Sequence, residues 1–408
     1  MIHIIDKHDC CGCSACVQRC PKQCISMRED DEGFLYPHVD EAECIGCGLC
    51  EAVCPLLNVG EPAEPDKVFA AKNRDDGERM ASSSGGVFIA LANDVIRRGG
   101  VVFGAVFDER WEVKHTYAET LEGVRRMMGS KYVQSRIESS FRDAEKFLKA
   151  GREVMFVGTP CQIAGLRGYL RKDYDGLLAV ELLCHGAPSP GVWRKYLGEA
   201  LSPSARRAAG KNTVLSSSLK FVPVITDIEF RDKQPYGWEK YSFVVRGESA
   251  SEADKYSVLL SHTFIENPFM RGFLKNIYLR PSCYRCKCKQ GRSKSDLTLG
   301  DFWGVGTVMP DFADNKGVSL VLVNTEKGDA AFAALNMETR PVDLSLAAPY
   351  NGGFNSEIRE TKRRKVFFDM LSSGKSFLDV LPKVTGKPYY KKIYHALRRT
   401  LRKVLLGR

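Results

Sequence analysis

From residue 68 onward, short apolar runs alternate with stretches whose apolar positions recur every three or four residues. "KVFAAK", "VVFGAVF", "WEVKHTYA", "EVMFVG" and "LLAVELL" are rich in β-branched and aromatic residues and are bounded by glycine or polar turns, the signature of strands. Between them, "SSSGGVFIALANDVIRRGG" reads as a capped helix closed by Gly99 and Gly100. "IESSFRDAEKFLKAG" reads as a second helix, and "GTPCQIAGLRGYL" as a turn leading into a third. This alternation predicts an α/β domain with a mixed sheet. The pattern weakens between residues 205 and 262, and no topology is predicted there. "ETKRRKVFFDMLSSG" predicts a helix ending at Gly374.

The first 57 residues follow a different rule. Cys10, Cys13, Cys16, Cys20 and Pro21 recur 34 positions later as Cys44, Cys47, Cys50, Cys54 and Pro55. Each half reads C-x2-C-x2-C-x3-C-P, the bacterial ferredoxin pattern for two [4Fe–4S] clusters. Three thiolates on a tight loop can wrap a cluster, and small residues such as Gly12 and Gly46 let backbone N–H groups approach its sulfurs. In this pattern the fourth cysteine reaches the other cluster. One set is therefore Cys10, Cys13, Cys16 and Cys54, and the other Cys44, Cys47, Cys50 and Cys20. Zinc sites favour two separated C-x2-C pairs instead. Cys11 and Cys24 fall outside the pattern and are expected to pack as small apolar residues. "CISM" and "FLYPHV" predict two short strands around the turn "REDDEG". The module, over residues 3–57, resembles two-cluster bacterial ferredoxins.

The expected organisation is thus an α+β ferredoxin-like module followed by an α/β domain with a mixed sheet. Its boundaries are 1–57, a proline-containing linker at 58–67, the α/β domain at 68–385 and a basic amphipathic tail at 386–408. Fifteen cysteines without a signal-peptide pattern point to metal or redox work in the cytoplasm rather than to disulfides. The net charge of +10 is uneven. Residues 1–57 carry ten acidic against four basic side chains, whereas 386–408 carry eight basic and no acidic ones. No basic stripe interleaved with aromatics appears, so nucleic acid is not an expected partner. In the tail, Ile393, Leu397, Leu401 and Leu405 share one helical face. That face suits either peripheral contact with an anionic membrane or docking on protein.

Several stretches have the chemistry of a ligand site. "SSSGG" places Ser84, Gly85 and Gly86 at a helix start, where N–H groups favour phosphate. "GSKY" offers Ser130, Lys131 and Tyr132 on a glycine turn. "GTPC" puts Gly158 and Thr159 at a strand end and Cys161 at a helix N-terminus, a setting that lowers a thiol pKa. "LLCHGAPSP" ends an apolar strand at Cys184, and His185 is a packed histidine or a proton donor. "LTLGDFWG" ends a strand at Asp301 and Trp303, an aromatic setting that suits an isoalloxazine ring.

Taken in order and spacing, "SSSGGVF", "GSKYVQS", "GTPCQIAGL", "LLCHGAPSP", a C-x2-C pair and "SDLTLGDFWG" resemble the beta subunit of coenzyme F-420-reducing hydrogenase and its dehydrogenase relatives. The likeness covers about residues 68 to 325. It implies FAD beside iron–sulfur clusters, with electrons passing between clusters, flavin and a hydride-accepting coenzyme or small reducible substrate. It also implies a redox partner protein or subunit. The family name does not establish use of coenzyme F-420, and no nickel-site motif is present.

Cys161, Cys184 and the pair Cys283/Cys286 supply four further thiols, with Cys288 to spare. They would hold a third [4Fe–4S] cluster next to the flavin, or structural zinc, or stand as reactive thiols without metal. The function expected is an iron–sulfur flavoprotein oxidoreductase; the alternative is a subunit that relays electrons without a substrate of its own. The direction of flow is left open.

Overall fold

Among the described residues, thirteen strands form in chain order: β1 (Ile25–Glu29), β2 (Leu35–Val39), β3 (Lys67–Asn73), β4 (Val101–Phe107), β5 (Val113–Ala118), β6 (Val154–Gly158), β7 (Leu177–Leu182), β8 (Ile225–Asp232), β9 (Ser242–Gly247), β10 (Ser257–Thr263), β11 (Leu297–Asp301), β12 (Ser319–Val323) and β13 (Met337–Pro341). The structure is a computed structural model and describes residues 1–202, 224–248, 257–355 and 358–386. The basic tail beyond Gly386 lies outside the described residues.

Eight strands make one mixed sheet in the order β13-β3-β12-β11-β7-β6-β4-β5. β4, β6, β7 and β11 run parallel, and antiparallel strands close both sides. Burial explains this order. β6 and β12 are buried at every position, as strands covered on both faces must be. β13, at the edge, is buried only at Met337 and is half-buried or exposed beyond it.

Alternate residues serve opposite faces. Val102, Met155 and Leu178 point to a core shared with the helix Val87–Arg97, whereas Phe103, Phe156 and Ala179 point to a core shared with the helices Ser140–Lys149 and Pro160–Leu170.

The ferredoxin-like module adds its own residues, Cys11, Cys13, Ala15, Val53 and Leu56, to that second core. Two glycines of the helix Pro160–Leu170 make the approach possible. A Cβ on Gly165 would stand 2.9 Å from Cβ of Cys13, and one on Gly168 would stand 2.6 Å from the Val53 carbonyl oxygen. Within the module, β1 and β2 pair antiparallel with Ile25 opposite Val39, as the sequence pattern predicts.

The described residues divide into two compact units: 1–191, 229–242, 279–355 and 358–359 form the first, and 192–202, 224–228, 243–248, 257–278 and 360–386 the second. The stretch without a predicted topology contributes β8, β9 and β10, a three-stranded sheet of order β10-β9-β8. The second unit has an aromatic core in which Trp193 and Tyr196 pack on Phe269 at ring separations of 5.2 and 5.4 Å. Its helix Phe377–Thr385 starts on Glu199, whose carboxylate accepts the Phe377 N–H at 2.8 Å and the Leu378 N–H at 3.0 Å.

Candidate functional site

The two cysteine loops share one backbone shape. Gly12 and its counterpart Gly46 have φ of +71° and +65°, and Ser14 and its counterpart Gly48 have +61° and +70°. Left-handed residues at these turns point successive N–H groups inward, an anion-binding concavity. Cys54 stands with Cys10, Cys13 and Cys16: burial, then the charges of Cys10 and Cys54, push the Cys16 thiol up to about 12. Cys20, Cys44, Cys47 and Cys50 line one cavity. Each group therefore takes its fourth cysteine from the other half of the repeat. Cys24 borders the same cavity, with its Sγ 3.4 Å from that of Cys20.

The remaining cysteines gather where the loop after β7 meets the segment 280–288. The Ala187 N–H donates to Sγ of Cys283 at 3.3 Å, and Ala187 O accepts the Arg280 N–H at 2.9 Å. Cys184 feels the charges of Cys283, Cys161 and Cys286, and burial drives its thiol pKa well above the ordinary value. Burial likewise pushes Cys283 up to about 12, with Cys161 and Cys286 adding to it. Among the described residues, no three ligating side chains converge on a point suited to a single ion.

One sequence expectation changes here. Cys161 does start a helix, but its thiol pKa is raised, not lowered. A hydrogen bond with Cys11 and then burial outweigh the helix terminus. Cys11 packs in the core as expected, and there it touches both Cys13 and Cys161.

Glu181 on β7 is 3% exposed, and its Oε2 accepts a hydrogen bond from the Ser293 hydroxyl. Burial raises its pKa from 4.5 to about 7, against the opposing effects of Ser293 and Lys289. Between pH 4.5 and 7 the folded chain retains a proton that the unfolded chain has released. Stability should therefore fall as pH rises through that window, by about 3 kcal/mol in all, and level off above it. Glu181→Gln should remove this component, gaining on the wild type between pH 5 and pH 8 in urea melts. An equal difference at both pH values would count against the assignment.

The motif loops gather at the C-terminal ends of the parallel strands, where ligands of open α/β sheets bind. Thr159 caps the helix after β6; its N–H donates to Oε1 of Gln162 at 2.9 Å, and Gly158 pairs with Glu181. Two serines of "SSSGG" bond to neighbouring loops. Ser83 Oγ accepts the Ser130 N–H at 2.7 Å, and Ser84 Oγ donates to Val318 O at 2.9 Å. They bind the loop to "GSKY" and to the approach to β12. Gly86 caps the helix Val87–Arg97 at φ +85°. Lys131 Nζ donates to the carbonyls of Met127, Met128 and Gly129 and lies 5.8 Å from the centre of the Phe107 ring.

Sequence reading missed the stretch "FRDKQPYGWEKY" at 230–241, which ends β8 and joins these loops. Arg231 Nη1 pairs with Asp301 Oδ2, while Asp301 Oδ1 accepts Nε1–H of Trp238 at 2.9 Å. Trp238 stacks on Trp303 at 4.8 Å and 4°. The Arg231 guanidinium lies 4.6 Å from the Tyr241 ring and 4.9 Å from the Trp303 ring, and its charge acts on Tyr132. Lys233 Nζ donates to the carbonyls of Arg79, Ser84 and Lys316 and so fixes the "SSSGG" loop. Arginine, lysine, tryptophan and tyrosine crowded into a dozen residues were the available signal.

Arg231 is also short of partners. Its Nε and Nη2 are buried and meet no hydrogen-bond acceptor among the described residues. A buried donor edge left unpaired costs about 1–3 kcal/mol, more when charged, so it normally marks a ligand or a trapped water.

Comparison with known proteins agrees with this layout. The model of a family described as the C terminus of the coenzyme F420 hydrogenase/dehydrogenase beta subunit matches residues 151–343, and that of the "4Fe-4S dicluster domain" matches residues 9–57. Residues 151–343 are thus similar to the C-terminal part of coenzyme F420 hydrogenase/dehydrogenase beta subunits. The chain is beta-subunit-like over that stretch and carries a 4Fe-4S dicluster domain at its N-terminal side. A curated relative is a subunit of the F(420)H(2) dehydrogenase of Methanosarcina mazei, 28% identical over 199 residues. The match covers 44% of this chain and 54% of the relative, so the chain spans about half the length of the curated relative it matches. A solved chain from "Xenon derivatization of the F420-reducing [NiFe] hydrogenase complex from Methanosarcina barkeri" is 17% identical with a TM-score of 0.43, covering 72% of this chain and 90% of that chain. Among the described residues no helix is long and apolar enough to cross a membrane.

Proposed function

We propose that this chain is an iron–sulfur flavoprotein oxidoreductase that passes electrons between [4Fe–4S] clusters, FAD and either a hydride-accepting coenzyme of the F-420 type or a small reducible substrate. Cys10, Cys13, Cys16 and Cys54 would hold one cluster, and Cys20, Cys44, Cys47 and Cys50 a second. Cys161, Cys184, Cys283 and Cys286 would hold a third. The donor sets fit. Each is four grouped thiols, and desolvated thiolates this close together call for a polycation to share. A redox partner would meet the second set, where Cys47 and Ile45 are exposed.

The observation that carries the flavin is the unpaired edge of Arg231 among Trp303, Trp238 and Tyr241. That edge fits the electronegative side of a flat ring carrying a carbonyl and a ring nitrogen. FAD bound there would convert between single electrons and a hydride. The chain's own residues would do the rest. Arg231 binds and orients the ring, Asp301 holds Arg231 and Trp238 in place, and the tryptophans keep water away. Gly85, Gly86 and Ser130 shape the neighbouring wall, which Lys233 ties down.

Anaerobic purification with iron, zinc and flavin counted per chain is the test. About twelve irons and one FAD are expected for three clusters and a flavin. Arg231→Met should weaken FAD binding at least tenfold, since a hydrogen bond to a charged group contributes about 1.5–3 kcal/mol, as read by fluorescence quenching. Unchanged affinity would remove Arg231 from the site, and iron without flavin in a gently handled preparation would favour the relay reading.

A further inference from the structure

Arg280 opens the segment that carries Cys283 and Cys286, yet its side chain belongs to the ferredoxin-like module. It is 1% exposed. Nε donates to Cys10 O at 2.7 Å, Nη2 to Leu35 O at 2.9 Å, and Nη1 to Oε1 of Gln134 at 3.1 Å. Nη2 also lies 3.4 Å from Sγ of Cys10. The guanidinium sits 4.2 Å from the centre of the Tyr36 ring. Gly12 makes room for it, because a Cβ there would stand 2.8 Å from Nη1.

Each of its three nitrogens is hydrogen-bonded, yet no carboxylate forms an ion pair with Arg280 among the described residues, so this cation has no carboxylate to balance it. A buried charge without a counter-ion is expensive. Burial opposes its charge, and Cys10 is the first of the groups that favour it, followed by Tyr36, Cys11 and Cys283. The negative charge it faces is therefore that of cysteine sulfur, on both sides: the first ferredoxin-type set and the inner set.

We propose that Arg280 is the built-in counter-ion of the cluster bound through Cys10 and holds that cluster's reduction potential up. The inference rests on the assignment of Cys10 to a cluster. A four-thiolate cluster is anionic and becomes more so on accepting an electron, so a fixed cation with an N–H directed at a ligand sulfur stabilises the reduced form more than the oxidised one. Water cannot supply this service at a buried site. Arg280 is a positioning residue: it acts through the Cys10 sulfur and the cluster's electrostatics.

The test is an EPR-monitored redox titration of the anaerobically purified full chain, with iron counted, for wild type, Arg280→Met, Arg280→Gln and Arg280→Lys. Glutamine keeps a donor and drops the charge; lysine keeps the charge and loses the fork. In both neutral variants the reduced-to-oxidised ratio of one cluster at a fixed poised potential should fall at least tenfold, equivalent to about 59 mV for one electron. Arg280→Lys should stay within threefold of wild type. Loss of iron in the neutral variants alone, with the lysine variant fully loaded, would support the counter-ion role through binding. Full iron and unchanged potentials in either neutral variant would overturn it, as would loss of iron in all three. A wild type without cluster signals would instead overturn the cluster assignment.

Discussion

Replacing Cys184 with alanine is expected to lower the iron content from about twelve to about eight atoms per chain, while the signals of the two ferredoxin-type clusters persist. Cys184 leaves the sheet just after β7 and feels the charges of Cys161, Cys283 and Cys286. It is remote in sequence from the eight repeat cysteines, so a loss of four irons isolates the inner set. Cys288 is the control. It is 1% exposed and packs in the core with Ile163, Leu166 and Ala179. Cys288→Ala should keep the full iron count at a modest cost in stability. The reverse pattern, iron lost with Cys288 and kept with Cys184, would exchange the two in the ligand set. Zinc in place of the missing iron would replace the inner cluster with a structural metal.

Gly85→Ala is expected to destabilise the fold by about 3–5 kcal/mol, among the largest effects of a single substitution, and to abolish flavin retention. A Cβ at Gly85 would stand 2.2 Å from Ala71 O and 2.6 Å from Ser319 N. Both are backbone atoms of central strands and cannot rotate away. The same residue also uses its own backbone on both sides: its N–H donates to Ser319 Oγ at 2.9 Å and its carbonyl accepts the Asn73 N–H at 2.7 Å. Displacing it would move Ser84, whose carbonyl receives Lys233. Gly99→Ala is the comparison. Gly99 has φ +80° and open space around its Cβ position, so only the left-handed strain of about 1–2 kcal/mol applies. Urea denaturation and flavin content measure both. A Gly85→Ala protein that lost less than the Gly99→Ala protein would refute the packing account. One that was destabilised but kept its FAD would separate this loop from the flavin.

The strands and helices of the α/β domain were legible because their cores are two-sided and regular. "VMFVG" is apolar throughout because β6 is buried on both faces, and "WEVKHTYA" alternates because β5 is an edge. The segment 205–262 was not legible: β8 ends in a polar run, Arg231, Asp232 and Lys233, that is nonetheless buried. Hydrophobic periodicity cannot show a buried strand end whose charged groups meet partners from other loops, as Arg231 meets Asp301.

The sequence alone determined the parts whose chemistry is local. The two cysteine repeats place their thiols by spacing along a few bonded residues, and the glycines at 12, 46 and 48 are called for by turns of the same short loops. The alternation of strands and helices follows from the same short-range periodicity. The tertiary structure decided everything that depends on distant residues meeting. It brought Cys161 to Cys11, the segment from Arg280 to Cys286 against both the ferredoxin-like module and the loop after β7, and Arg231 to Asp301. The physical reason is that a buried cation or thiol takes its energy from neighbours that burial leaves as its only partners, and those neighbours lie 70 to 270 positions away.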